Sequence, residues 1–161
     1  MQTLGTKSFK DKLHNAFHGK DLDYDYITDG IYIGTNQCCM FALHEMLKKE
    51  GITADISLED TRVDQPFGVE TYTWIPVKDG TPPSDDQLAF GVSILEGIAS
   101  QKKNVYVHCQ NGHGRAATLV AAYLIKKGKT PDEAIDFIKS KRPTVHLTEN
   151  QMNALKRFWE K

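Results

Sequence analysis

Cys109 and Arg115 stand six positions apart, with Gly112 and Gly114 between them, in the run His108-Cys109-Gln110-Asn111-Gly112-His113-Gly114-Arg115. Asn104-Val105-Tyr106-Val107 precedes this run as a strand, and Ala116 to Leu124 follows with a helical pattern. A nucleophile therefore opens a tight turn that feeds a helix. Glycine permits backbone angles and close packing that other residues resist. The N–H groups of Gln110, Asn111, Gly112, His113, Gly114 and Arg115 can then face inward as a cradle. The helix N-terminus adds positive potential, so a phosphate dianion fits there. Arg115 supplies a planar fork for two phosphoryl oxygens. The same field favours the thiolate of Cys109. That thiolate can attack phosphorus in line and form a cysteinyl phosphate, with the cradle stabilising the equatorial oxygens.

The leaving group needs a proton, and Asp79 is the candidate acid. It lies 30 residues upstream of Cys109, in the loop Lys78-Asp79-Gly80-Thr81-Pro82-Pro83. After the first step the same carboxylate can serve as base toward water. Asp85 and Asp86 are its rivals, but both are explained as acidic residues in the first turn of a helix capped by Ser84. His108 either holds the Cys109 backbone or thiolate through a hydrogen bond, the favoured reading, or merely ends the strand. His113 and Asn111 face either substrate or solvent.

The elements that must position these residues alternate along the chain. Residues 26–33 read as a strand pair around the turn dipeptide Asp29-Gly30. Phe41, Leu43, Met46 and Leu47 mark a helix that stops at Gly51. Residues 52–58 form a strand, 59–68 a polar loop, and 69–77 a strand with Pro76 near its end. A helix with Leu88, Val92, Leu95 and Ile98 on its apolar side follows. The motif helix runs from about Arg115 to Lys127, and two more cover 132–140 and 149–160. The expected fold is α/β, a short and mostly parallel central sheet flanked by helices. Its site belongs at the C-terminal edge of the central strand. Residues 1–24 read as an N-terminal extension with a short helix, and 25–161 as one domain.

Composition is that of an ordinary globular chain: 161 residues, 40% hydrophobic, 25% charged, net charge -1. That balance gives no steering toward nucleic acid or anionic lipid. The apolar runs are too short to span a bilayer, and neither a secretory signal nor a prenylation cysteine is visible. A cytoplasmic monomer is expected. Three cysteines, two of them adjacent, do not make a disulfide framework. The spacing of Cys38 and Cys39 also fails as a zinc site. No metal or other cofactor is expected, because the cradle and Arg115 supply the electrostatics a metal supplies elsewhere. Cys38 and Cys39 read as small buried residues near a strand end. The sharper alternative is a protective disulfide from one of them to Cys109.

His108-Cys109-x-x-Gly112-x-x-Arg115 resembles the signature loop of the cysteine-dependent protein tyrosine phosphatases. The short chain and Ile75-Pro76-Val77-Lys78-Asp79-Gly80 resemble the dual-specificity subgroup, and the likeness covers roughly residues 25–160. The resemblance implies a nucleophilic Cys109, a phosphate-binding Arg115, a general acid at Asp79 and an oxyanion-binding backbone over 110–115. It also implies that Gln151 touches the site or its water. One departure stands out. Ala116 follows the arginine where the family usually has Ser or Thr, whose hydroxyl helps the thiolate leave the phosphoenzyme. Phosphatases of regenerating liver share this Arg-Ala pair. Thr118 is the nearest hydroxyl that could compensate.

The implied activity is hydrolysis of phosphotyrosine, and of phosphoserine or phosphothreonine, in proteins. Alternatives are the same mechanism on a phosphoinositide, an inositol phosphate or an RNA 5′ end, or a low-turnover phosphate-binding module. Relatives acting on inositol phospholipids often carry lysines inside the loop, and this loop has none. Lys78, Lys141 and Arg142 read as solvated surface rather than as contacts to further phosphates.

Overall fold

A computed structural model describes residues 22–161. The helix expected within residues 1–24 falls largely outside them. Five strands form one sheet in the order β1-β2-β5-β3-β4. The strands are β1 (Tyr24–Thr28), β2 (Ile31–Gly34), β3 (Ile52–Ser57), β4 (Thr71–Trp74) and β5 (Asn104–His108). β1 and β2 form the expected hairpin, with Asp29 and Gly30 both at positive φ in its turn. All other pairings are parallel, and β5 lies centrally between β2 and β3.

The helices are α1 (Glu45–Lys49), α2 (Asp85–Ser100), α3 (Arg115–Lys126), α4 (Pro131–Lys141) and α5 (Glu149–Trp159). Three begin with capping boxes: Ser84 with Gln87, Thr130 with Glu133, and Thr148 with Gln151. Each box satisfies two backbone N–H groups that a helix start leaves without partners. Among the described residues no helix is long and apolar enough to cross a membrane.

Alternation along β5 sorts the sheet into two faces. Val105 and Val107 join Ile31, Ile33, Ala54 and Ile56 under the long helices, and Cys109 continues that set. Tyr106 belongs to the opposite face with Tyr32, Leu43, Leu47, Ile52, Cys38 and Cys39. α3 is the innermost helix, with every side chain from Arg115 to Ile125 buried.

Three expectations need correction. The helix around 41–50 begins only at Glu45, where the His44 ring accepts from the N–H of Met46. Phe41 lies before it and is exposed, and Leu43 is buried from irregular backbone. The strand expected over 69–77 keeps its ladder only through Thr71–Trp74, although Ile75 and Val77 still donate to Ser57 and Leu58. Pro76 between them has no N–H to continue the ladder. Lastly, Cys38 and Cys39 are buried as expected, but the structure joins them to each other in a disulfide that their spacing did not suggest.

Candidate active site

The turn after β5 is held open by hydrogen bonds to its outer side. The carbonyl of Gln110 accepts from the N–H of Asn36 at 3.2 Å, that of His113 from the N–H of His146 at 3.1 Å, and that of Gly114 from Thr118 at 2.8 Å. Arg142 takes the two between, its Nη2 donating to the Asn111 carbonyl and its Nε to the Gly112 carbonyl, each at 3.1 Å. A trans peptide points its C=O and the following N–H in opposite directions. Five carbonyls turned outward therefore turn the N–H groups of Asn111, Gly112, His113, Gly114 and Arg115 inward. Among the described residues none of these five N–H groups donates to a protein acceptor. Unpaired backbone donors converging at a helix N-terminus form an anion site.

Gly112 makes the turn possible. Its φ is +66°, and a Cβ there would lie 2.6 Å from the carbonyl oxygen of Gly34. Both the backbone conformation and the contact with β2 exclude a side chain.

Cys109 is a free cysteine, nearly buried at the floor of a cleft of about 220 Å³. Asp79, Gly80, Asn111, His113, Gly114, His146, Thr148 and Gln151 line the same cleft. The structure thus brings Asp79 to Cys109 from a distant loop. Asp85 is instead paired with Lys161 at the start of α2, and neither Asp85 nor Asp86 lines the cleft.

Arg115 is 1% exposed, and its Nη1 is heavily engaged. That nitrogen donates to the carbonyls of Val77 (2.8 Å) and Leu58 (3.3 Å) and to the carboxylates of Asp60 (3.2 Å) and Glu59 (3.4 Å). Nη2 lies 3.3 Å from Asp79 Oδ1, and Nε is buried with no protein partner. The Nε–Nη2 edge is the one left for phosphoryl oxygens. Glu59 and Asp60 were not singled out in the sequence. Their signal is their position just past β3, at the same sheet edge as the motif turn.

Arg142 was read as solvated surface and is fully buried instead. Besides the loop carbonyls it binds Asp23 at 2.9 and 3.0 Å and Asp25 at 2.8 Å. Burial works against its charge, but the hydrogen bonds to Asp23 and Asp25 raise its pKa above the ordinary value. The same hydrogen bond holds the Asp23 carboxyl below its usual range.

Gln151 is buried, which a surface helix start does not explain. Its Oε1 accepts from the N–H of Thr148 to close the capping box, and its Nε2 donates to the Thr81 carbonyl at 3.2 Å. It packs against Gly114, where an added Cβ would meet its amide at 3.0 Å. Gln151 therefore ties α5 to the Asp79 loop and to the motif turn. His113 lies with its ring centroid 5.1 Å from that of His146, the two rings tilted at 50°, and burial together with Arg142 lowers its pKa.

His108 does not support Cys109 by the expected side-chain hydrogen bond. Strand alternation sends its ring to the opposite face, where Nε2 lies 3.0 Å from Asp55 Oδ1 and 3.5 Å from Cys39 Sγ. The same alternation separates Cys38 and Cys39 from Cys109 by the sheet, and the two are bonded to each other. Thr118 does not replace the hydroxyl missing at Ala116, because its Oγ1 donates to the Gly114 carbonyl at 2.8 Å.

The chain matches the family described as dual specificity phosphatase, catalytic domain, over residues 31–161. It belongs to that family. It is 42% identical over 93 residues to human phosphatidylglycerophosphatase and protein-tyrosine phosphatase 1, covering 57% of this chain and 46% of that one. It is 32% identical over 117 residues to human dual specificity protein phosphatase 1, covering 71% of this chain and 32% of that one. The chain spans less than two thirds of the length of these relatives. Among solved structures it resembles PTPMT1 in complex with PI(5)P, with a TM-score of 0.71 at 26% identity over 85% of this chain and 94% of that one. Human DUSP28 shares the fold, with a TM-score of 0.75 at 20% identity over 88% of this chain and 95% of that one.

Proposed function

We propose that this protein hydrolyses phosphate monoesters through a phosphocysteine at Cys109. The inward-facing N–H groups of the 110–115 turn, above a nearly buried free thiol, carry this reading. In the first step the Cys109 thiolate attacks phosphorus while the backbone cradle and the Arg115 Nε–Nη2 edge hold the equatorial oxygens. Asp79 gives its proton to the departing oxygen. In the second step Asp79 takes a proton from water, which attacks the phosphocysteine and releases phosphate. Gln151 positions the Asp79 loop against the cradle through Thr81.

The favoured substrate is phosphotyrosine in proteins, with phosphoserine and phosphothreonine as further targets. No step requires a metal ion. Turnover of an aromatic phosphate monoester between pH 5 and 8 in chelator tests the reading. Cys109→Ser should abolish it and Asp79→Ala should reduce it strongly. Wild-type protein that binds vanadate without turnover would favour a phosphate-binding module instead.

A monophosphorylated lipid is the second reading. Its support is the polar rim of Asn111, Thr148 and Gln151, together with the similarity to phosphatases named for phosphatidylglycerophosphate. No lysine lines the cleft among the described residues, which disfavours highly phosphorylated headgroups. A panel of phosphopeptides against mixed vesicles carrying a monophosphorylated glycerolipid separates the two.

A further inference from the structure

Behind the catalytic strand, on the sheet face away from Cys109, four buried side chains gather that the proposed chemistry leaves unused. They are Cys38, Cys39, Asp55 and His108, and their donor atoms all lie within 4.8 Å of one another. Three parts of the chain supply them: the 3₁₀ turn at Asn36–Cys38 with its following residue, β3, and the end of β5.

Asp55 is the observation that points to a cation. It is 1% exposed, and neither carboxylate oxygen has a hydrogen-bond partner among the described residues. His108 Nε2 approaches Oδ1 at 3.0 Å but out of line for a hydrogen bond. The neighbouring carboxylate differs. Asp64 accepts from Arg62 Nε at 2.8 Å and from Ser57 Oγ at 3.0 Å, so its charge is met by protein donors. A buried carboxylate without donors is unfavourable unless a cation sits against it.

We infer that in the reduced protein the Cys38 and Cys39 thiolates, the Asp55 carboxylate and His108 Nε2 bind one zinc-class divalent cation. The donor set of two sulfurs, an imidazole and a carboxylate suits zinc and excludes magnesium and calcium, which take oxygen ligands. The separations from His108 agree with this, while the two sulfurs, bonded to each other here, must part to about 3.8 Å to share a tetrahedral cation. Zinc bond lengths in a tetrahedron put sulfur and imidazole nitrogen about 3.5 Å apart, and nitrogen and carboxylate oxygen about 3.3 Å apart. Cys39 Sγ is 3.5 Å from His108 Nε2, and Asp55 Oδ1 is 3.0 Å from it. All four ligands come from protein, and all four residues are buried. Such a closed site is structural, and it would pin β3 and β5 together directly behind the phosphate loop. Sequence spacing concealed it, because only two ligands are neighbours in the chain.

Loading requires the Cys38–Cys39 bond to open. A phosphine reductant and one water give two thiols and the phosphine oxide, and the cation then displaces one proton from each thiol.

The test uses the full chain, reduced with a phosphine, stripped with chelator, freed of chelator and titrated with Co²⁺. The expected result is one Co²⁺ per chain, with thiolate-to-cobalt charge-transfer absorption and the visible bands of a tetrahedral site, both removed by Zn²⁺. Cys109→Ser should keep the stoichiometry and the spectrum. The double variant Cys38→Ser/Cys39→Ser should lose the charge-transfer band. Asp55→Asn should keep the band but bind about tenfold more weakly or worse. If the double variant does not fold, the wild-type spectrum and Asp55→Asn still decide. Reduced wild-type protein that takes up no stoichiometric cobalt, gives only octahedral bands, or loses the site with Cys109→Ser overturns the inference.

Discussion

Asp79 Oδ1 lies 3.3 Å from Arg115 Nη2, so the candidate acid rests on the candidate phosphate clamp. The carboxylate is 77% exposed and the guanidinium 1% exposed, so the contact joins a surface group to a buried one. On the proposed mechanism, an incoming phosphate competes with Asp79 for that edge and frees the carboxyl for the leaving oxygen. Asp79→Asn should therefore separate binding from turnover. Exposed ion pairs are worth about 0.2–1 kcal/mol, so tungstate affinity should hold steady or rise by up to about fivefold. Turnover should fall by about 10²-fold or more for substrates with poor leaving groups. Calorimetric titration with tungstate and steady-state kinetics check the two halves.

Arg142 is the brace of the loop rather than a surface charge. Arg142→Met removes two donors to loop carbonyls and leaves Asp23 and Asp25 without their partner. Hydrogen bonds to charged groups contribute about 1.5–3 kcal/mol, and denaturant unfolding should show a loss of that order. Loosening of the cradle should lower the rate by roughly 10²-fold even where the protein stays folded. A variant with reduced stability and unchanged activity would assign Arg142 to the fold alone.

The Asp23–Arg142 pair also sets a pH dependence. The hydrogen bond from Arg142 lowers the Asp23 pKa on folding. Its stabilisation is therefore present above the unfolded carboxylate value and is lost as pH falls through the lower folded value. Asp23 is 59% exposed in this pair, so the contribution is small. Thermal unfolding of wild type and Asp23→Asn should differ by a constant amount near neutrality and converge in acid. A difference that grows as pH falls would contradict the assignment.

Ala116 lies in the first turn of α3 with no hydroxyl, and Thr118 is committed to Gly114. Hydrolysis of the phosphocysteine should be the slow step. Wild-type protein should release a burst of alcohol product equal to the enzyme concentration. Ala116→Ser should remove the burst and raise the steady rate about tenfold, since a hydrogen bond to a charged sulfur is worth about 1.5–3 kcal/mol. Stopped-flow traces that are linear from the first turnover in wild type would show that the missing hydroxyl is not limiting.

The strand, turn and helix around Cys109 were legible in the sequence because they are contiguous, and each announces itself locally. The loop that brings Asp79 to the Cys109 cleft was legible because Lys78 to Pro83 can form nothing regular. Arg142, Glu59 and Asp60 were not, because a charged residue reads as solvated until the fold shows what surrounds it. Asp55 was hidden for the same reason, between the buried residues Ala54 and Ile56 of β3. His108 was misread although period-two alternation already set it opposite Cys109. The helix at Phe41 failed because its apolar residues serve an irregular segment over the second sheet face, where packing rather than periodicity decides.

The most direct test of the central claim is rapid quenching of the wild-type protein in the first turnover with an aromatic phosphate monoester, followed by peptide mass analysis. A single phosphoryl group on Cys109, absent from Cys109→Ser and retained in Asp79→Asn, is the predicted result. Product formation with no phosphocysteine at any time, or turnover that survives Cys109→Ser, would contradict it.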